Sequence, residues 1–170
     1  MDQTIYLIVK YFTVKQSTQL LCCSKFYRPT NYNLKVRNGI FYTDGSILQN
    51  NGFSNSWYYE RKLHRDHDQP ARIFHLNGTM EWYKDGKQHR DGDKPAYISI
   101  HKKSMVFYKA GKIHRDNAPA LIMQEDRVMW YKDGKIHNDN NQPAAIIHLN
   151  DNRIRREWWN EGKYLRMETI

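Results

Sequence analysis

Four histidines, His64, His89, His114 and His137, are each followed two places later by an aspartate. An imidazole beside a carboxylate can bind a metal ion or switch charge near neutral pH. The residues around them repeat as well: 82–91 read "WYKDGKQHRD", 107–116 "FYKAGKIHRD", 130–139 "WYKDGKIHND" and 57–66 "WYYERKLHRD". Each copy carries an aromatic pair, a lysine, a histidine and an acid, and three of the four carry a glycine. The choice is between one composite site and one building unit written several times.

The spacing favours a building unit. Trp57, Trp82, Phe107, Trp130 and Trp158 are spaced by 25, 25, 23 and 28 residues. Pro70, Pro95, Pro119 and Pro143 are spaced by 25, 24 and 24, and each is followed by alanine. A period of this size marks a repeat architecture. Within 70–94, "ARIFHL" reads as a strand, Asn77-Gly78 as a hairpin turn, "TMEWYK" as a second strand and Asp85-Gly86 as a second turn. Pro95 opens the next unit, at a position that needs no ladder donor. The expected fold is mainly β: an elongated single-layer antiparallel meander of about 24-residue two-strand repeats, with a short α-helical hairpin before it.

Residues 34–56 read as a degenerate unit, 57–155 as clear repeats and 156–170 as a terminal cap, where Leu165 stands in place of histidine. Residues 1–30 differ. Ile5, Ile8 and Phe12 fall on one helical face, and Leu20 and Leu21 begin a second apolar stripe that Pro29 ends. This hairpin is too short to fold alone, so it is expected to pack on the repeats or on a partner.

Equivalent residues in adjacent two-strand units lie about 10 Å apart, far beyond what two bonds of about 2.0–2.1 Å to one zinc ion can bridge. The histidines are therefore expected to tie each turn to neighbouring backbone. Gly86, Gly111, Gly134 and Gly162 are expected at positive φ in turns, while Arg61 at the matching place implies a locally different turn. His75, His101 and His148 are expected as strand residues facing water.

The 170-residue chain has a net charge of +9, 39% hydrophobic and 14% aromatic residues. Basicity of this size permits nucleic-acid or acidic-protein partners without naming one. Cys22 and Cys23 are adjacent and cannot form an ordinary structural disulfide, which fits a reducing compartment. The apolar run "IYLIV" stops at Lys10, so neither a secretory signal nor a membrane span is expected.

The unit "WYKDGKxHRD…PA" resembles the variant MORN-type repeats abundant in giant DNA viruses and some phages, over roughly 57–167. Arg61 at the glycine position and Ala110 at the preceding acid depart from that pattern. The N-terminal "IYLIVKYF" and "LLCCSKFY" resemble the two helices of a truncated F-box, without its usual Leu-Pro opening. The resemblance implies a viral source, an adaptor-like role and a place in the host cytoplasm or the virion.

No unique nucleophile–base pair stands outside the periodic pattern, so no catalysis, metal, cofactor or small-molecule substrate is expected. The expected work is protein–protein contact. Tyr58, Tyr83, Tyr108 and Tyr131, with Lys84, Lys109 and Lys132, are the candidate contact residues on the repeats. Ile5, Ile8, Phe12, Leu20 and Leu21 are those on the hairpin. Rival expectations are a virion component that glues capsid subunits and charge-driven nucleic-acid binding.

Overall fold

The computed structural model describes residues 45–124 and 126–170 in full and the backbone of 34–36 and 39–41. The expected hairpin over 1–30, with Ile5, Ile8, Phe12, Leu20 and Leu21, lies outside the described residues.

The described residues are mainly β, contain no helix, and every strand pair is antiparallel. One broad sheet runs in chain order through Leu34–Val36, Gly39–Phe41, Ile47–Asn50 and Ser54–Tyr59. It continues through Arg72–Phe74, Met80–Glu81, Tyr97–Ser99, Ser104–Val106, Leu121–Met123 and Arg127–Met129, and closes with Ala145–His148, Ile154–Asn160 and Lys163–Thr169. Each strand thus pairs with the one before and the one after it, which is a meander.

The expected "TMEWYK" strand is split. Met80–Glu81 belong to the broad sheet, whereas Tyr83–Lys84 pair with Lys87–Gln88 in a small hairpin of their own. The split occurs because Trp82 serves two neighbours. Its N–H donates to Ala96 O at 2.8 Å, and its C=O accepts from His89 N at 3.2 Å. Trp57, Phe107 and Trp130 do the same with Ala71 and His64, Ala120 and His114, and Ala144 and His137. The aromatic is therefore a branch point between sheet and hairpin, and the DG turn closes the hairpin rather than joining two sheet strands.

Successive hairpins stack through one backbone bond each: Gly86 N to Leu63 O, Gly111 N to Gln88 O, Gly134 N to Ile113 O and Gly162 N to Ile136 O, all 2.8–2.9 Å. The hairpin turns put both central residues at positive φ, for example Asp85 at 51° and Gly86 at 79°, as two-residue hairpins require. The first copy corrects the reading of Arg61. Glu60 and Arg61 sit at 47° and 64°, so arginine occupies the same turn as glycine elsewhere. An L-residue in this region is strained by about 1–2 kcal/mol, partly offset in glycine by its greater chain entropy. Arg61→Gly is therefore expected to raise stability by about 0.5–1 kcal/mol, read from urea unfolding midpoints.

Register puts Ile73, Met80, Ile98, Met105, Ile122, Val128 and Ile146 directly opposite one another on one face. Trp82, Phe107 and Trp130 share that face by strand alternation, as do Ala96, Ala120 and Ala144. Most of this set is buried, and the alanines after the prolines are fully so. The alanine of each repeated Pro-Ala is thus fully buried, with its C=O accepting from the branch-point N–H. This aliphatic and aromatic ladder is the core, and each buried isoleucine, valine, methionine or phenylalanine in it contributes about 1.5–3 kcal/mol.

Candidate partner-binding surface

The four histidines form one geometry repeated between consecutive hairpins. The next turn's backbone N–H donates to Nδ1: Asp85 to His64 at 3.1 Å, Ala110 to His89 at 3.2 Å, Asp133 to His114 at 3.1 Å and Glu161 to His137 at 3.2 Å. A backbone N–H can only donate, so in His89 and His137 Nδ1 holds a lone pair and Nε2 carries the proton, while Nδ1 of His64 and His114 also lies 3.1 and 3.3 Å from the Asp85 and Asp133 carboxylates. That Nε2–H donates to Asp66, Asp91, Asp116 and Asp139 respectively, at 2.8–3.1 Å. The rings join neighbouring units, and the repeated aspartates fix their tautomer. Among the described residues no three His, Cys, Asp or Glu side chains are grouped to hold a metal.

These bonds act back on the carboxylates. The hydrogen bond from His89 and the charge of Lys84 hold Asp91 below its ordinary value of 3.8. His114 does the same for Asp116, and His137, then Lys132, for Asp139. A carboxylate whose folded value is depressed stabilises the fold above its unfolded value, and that stability is lost as pH falls through the folded value. Thermal midpoints are therefore expected to fall progressively below about pH 4, with a shallower acid limb in Asp116→Asn. A melting series from pH 7 to pH 2 checks this.

The arginine after each histidine covers the branch-point ring. The guanidinium carbon stands 3.8 Å from the Trp57 centroid for Arg65, 3.9 Å from Trp82 for Arg90 and 3.7 Å from Phe107 for Arg115. The same groups donate to Pro70 O, Pro95 O and Pro119 O at 3.2–3.3 Å, and so hold the start of the next unit. Arg90 also grips Asp68 with two bonds, at 2.6 and 3.1 Å, and Arg115 grips Asp93 at 2.8 and 2.9 Å. Burial pushes the Asp68 carboxyl up, but Arg90 and Lys94 together outweigh it and hold it below 3.8. In the fourth copy Asn138 replaces arginine. It keeps the bond to Pro143 O at 2.8 Å, and Trp130 is only half-buried.

The second face of the broad sheet is of a different kind. Register lines up Arg72, Glu81, Tyr97, Val106, Leu121 and Met129 there. All six are half-buried. Tyr83, Tyr108 and Tyr131 flank this row and are half-buried too, as is Tyr58 in the first copy. Tyr83 Oη lies 3.3 Å from Glu81 Oε2, and burial followed by that carboxylate's charge pushes the phenol up to about 12. Burial also raises Tyr108 and Tyr131; Glu81, Tyr97 and Tyr131 add to the rise at Tyr108. The tyrosines therefore stay neutral and offer rings and hydroxyls, with Val106, Leu121 and Met129 between them. The sequence reading named the tyrosines but missed these aliphatic residues. Their alternation with Ile98, Met105, Ile122 and Val128 was the available signal.

The candidate lysines turn out differently. Lys84, Lys109 and Lys132 lie 3.5, 3.8 and 3.3 Å from Asp91, Asp116 and Asp139. Each aspartate is thus shared by a histidine and a lysine of its own unit. Such exposed pairs are worth about 0–1 kcal/mol, and they leave little free charge on that row. His75 and His101 lie in exposed turns just past their strands, while His148 ends the Ala145–His148 strand.

The sequence matches no protein-family model, and no curated protein matches it.

The terminal unit keeps the aromatic cover and drops the latch. Arg166 stands 3.5 Å over the Trp158 centroid, and Trp158 Nε1 donates to Asn141 O at 2.9 Å. Leu165 and Met167 occupy the histidine and aspartate places and are 53% and 57% exposed.

Proposed function

We propose that the protein is a non-catalytic repeat scaffold that binds another protein across the second face of its sheet. The observation that carries this reading is the half-buried row Tyr97–Val106–Leu121–Met129, flanked by neutral tyrosines. Tyrosine and methionine are enriched in protein interfaces, and a contiguous surface of this kind marks a contact site. Lys84, Lys109 and Lys132 are ion-paired, so that row offers few free cations for charge-driven nucleic-acid binding. The resemblance to variant MORN-type repeats agrees with a scaffold. It also implies a viral setting, in the host cytoplasm or the virion, with the F-box-like segment as a second contact for an adaptor.

The test places a photo-cross-linking residue at Leu121 or, as a control, at Lys112 on a hairpin. Capture from Leu121, competed by excess wild-type protein but not by Leu121→Asp, is the expected result. Capture of nucleic acid, or equal capture from both positions, would overturn the reading.

A further inference from the structure

The strand Lys163–Thr169 pairs with Ile154–Asn160 on one side, and among the described residues no strand pairs with it on the other. Its pairing is irregular at one point: Trp158 lies opposite Arg166 and Trp159 opposite Tyr164, so Leu165 is an extra, bulged residue. Past the bulge the strand is regular, and it carries two exposed apolar side chains, Met167 and Ile170, at 57% and 58% exposure.

Hydrogen-bond directions along this edge are fixed. Ile154 and Ile170 exchange both backbone bonds, at 2.8 and 3.0 Å. Antiparallel pairs alternate between bonded and non-bonded, so residues 166, 168 and 170 point their N–H and C=O inward. Met167 and Thr169 point theirs outward, into open space.

We infer that this edge pairs with the same edge of a second copy, antiparallel, about a two-fold axis through Met167. Edge-to-edge pairing of identical strands requires an axis normal to the sheet, and residues directly opposite must then share a face. That allows axes only at single residues. An axis at 166 sets Arg166 against Arg166, and one at 168 sets Glu168 against Glu168. With the axis at Met167, Arg166 faces Glu168 of the other copy twice, in the close non-bonded position. Met167 then exchanges both outward backbone bonds with its own counterpart. In the single chain, Glu168 lies 3.3 Å from Arg156 and 3.8 Å from Arg166, and the Arg166 side chain stays 53% exposed. The last described unit also lacks the His–Asp latch, with Leu165 and Met167 at those two places.

Light scattering behind size exclusion, on the full chain from micromolar to near-millimolar, is the test. A concentration-dependent rise from 20.5 kDa to twice that mass is expected. Met167→Pro removes an outward donor and no inward one, so it should give a monomer with an unchanged melting midpoint under dilute conditions. Glu168→Arg, which sets arginine against arginine, should weaken the dimer at least tenfold. Leu121→Asp should leave it intact. A wild-type monomer throughout, or a dimer that survives Met167→Pro, overturns the inference. A dimer lost in Leu121→Asp lies on the sheet face and overturns it too.

Discussion

Trp82→Ala is expected to lower the unfolding free energy by about 3–5 kcal/mol. The ring is 5% exposed and does three things at once. It fills the core face beside Met80 and Ala96. Its Nε1 donates to Asp68 O at 3.0 Å, which pins the loop of the preceding unit. It also forms the floor under Arg90. Alanine leaves a cavity that the short strands around it cannot close, because Ala71, Ala96 and Ala120 are already fully buried. Urea unfolding followed by circular dichroism reads the loss. Trp130→Ala should cost less than Trp82→Ala, since Trp130 is half-buried and has Asn138 in the place of its arginine.

Arg90→Ala comes next, at about 2–4 kcal/mol. Its side chain is 5% exposed, and it bonds to both oxygens of Asp68, to Pro95 O and to the Trp82 face. Removing it leaves Asp68 with Lys94 alone and the Pro95 carbonyl short of a donor. Arg115→Ala should cost less, because Arg115 and Asp93 are 18% and 62% exposed and solvent screens their pair. Trp82→Ala and Arg90→Ala share one contact, so the double variant should cost less than the sum. Equal losses for Arg90 and Arg115, or full additivity, would contradict the clamp geometry.

The antiparallel meander was legible because its signals are local. Asp85-Gly86 names its own two-residue turn, whereas the turn signalled by Asn77-Gly78 runs over residues 75–78 and the "ARIFHL" strand stops at Phe74. What stayed hidden depends on partners distant in sequence. Nothing within "TMEWYK" shows that Trp82 sends its N–H to Ala96 and its C=O to His89. The broken strand follows from that division. Arg61 misled for a related reason: the stacking of hairpins holds the turn shape, so one copy can carry a strained residue where the others carry glycine. Neutralisation of the lysine row was legible in the aspartates of the same turns, but not which pair meets: Lys84 and Asp91 are seven residues apart and join across the small hairpin. The second face was half legible. Its tyrosines stand out in the repeat, whereas Val106, Leu121 and Met129 emerge only once strand register is known.

The spaced histidines are joints between neighbouring units. Two-bond nitrogen–proton correlation spectra of the four rings, taken where they are neutral, test that most directly. His64, His89, His114 and His137 are all expected to carry the proton on Nε2, with the amides of Asp85, Ala110, Asp133 and Glu161 protected from exchange. Added zinc is expected to leave the spectra unchanged, as joints of this kind require. A proton on Nδ1, fast exchange at those four amides, or a joint shift of several rings on adding zinc would contradict that role.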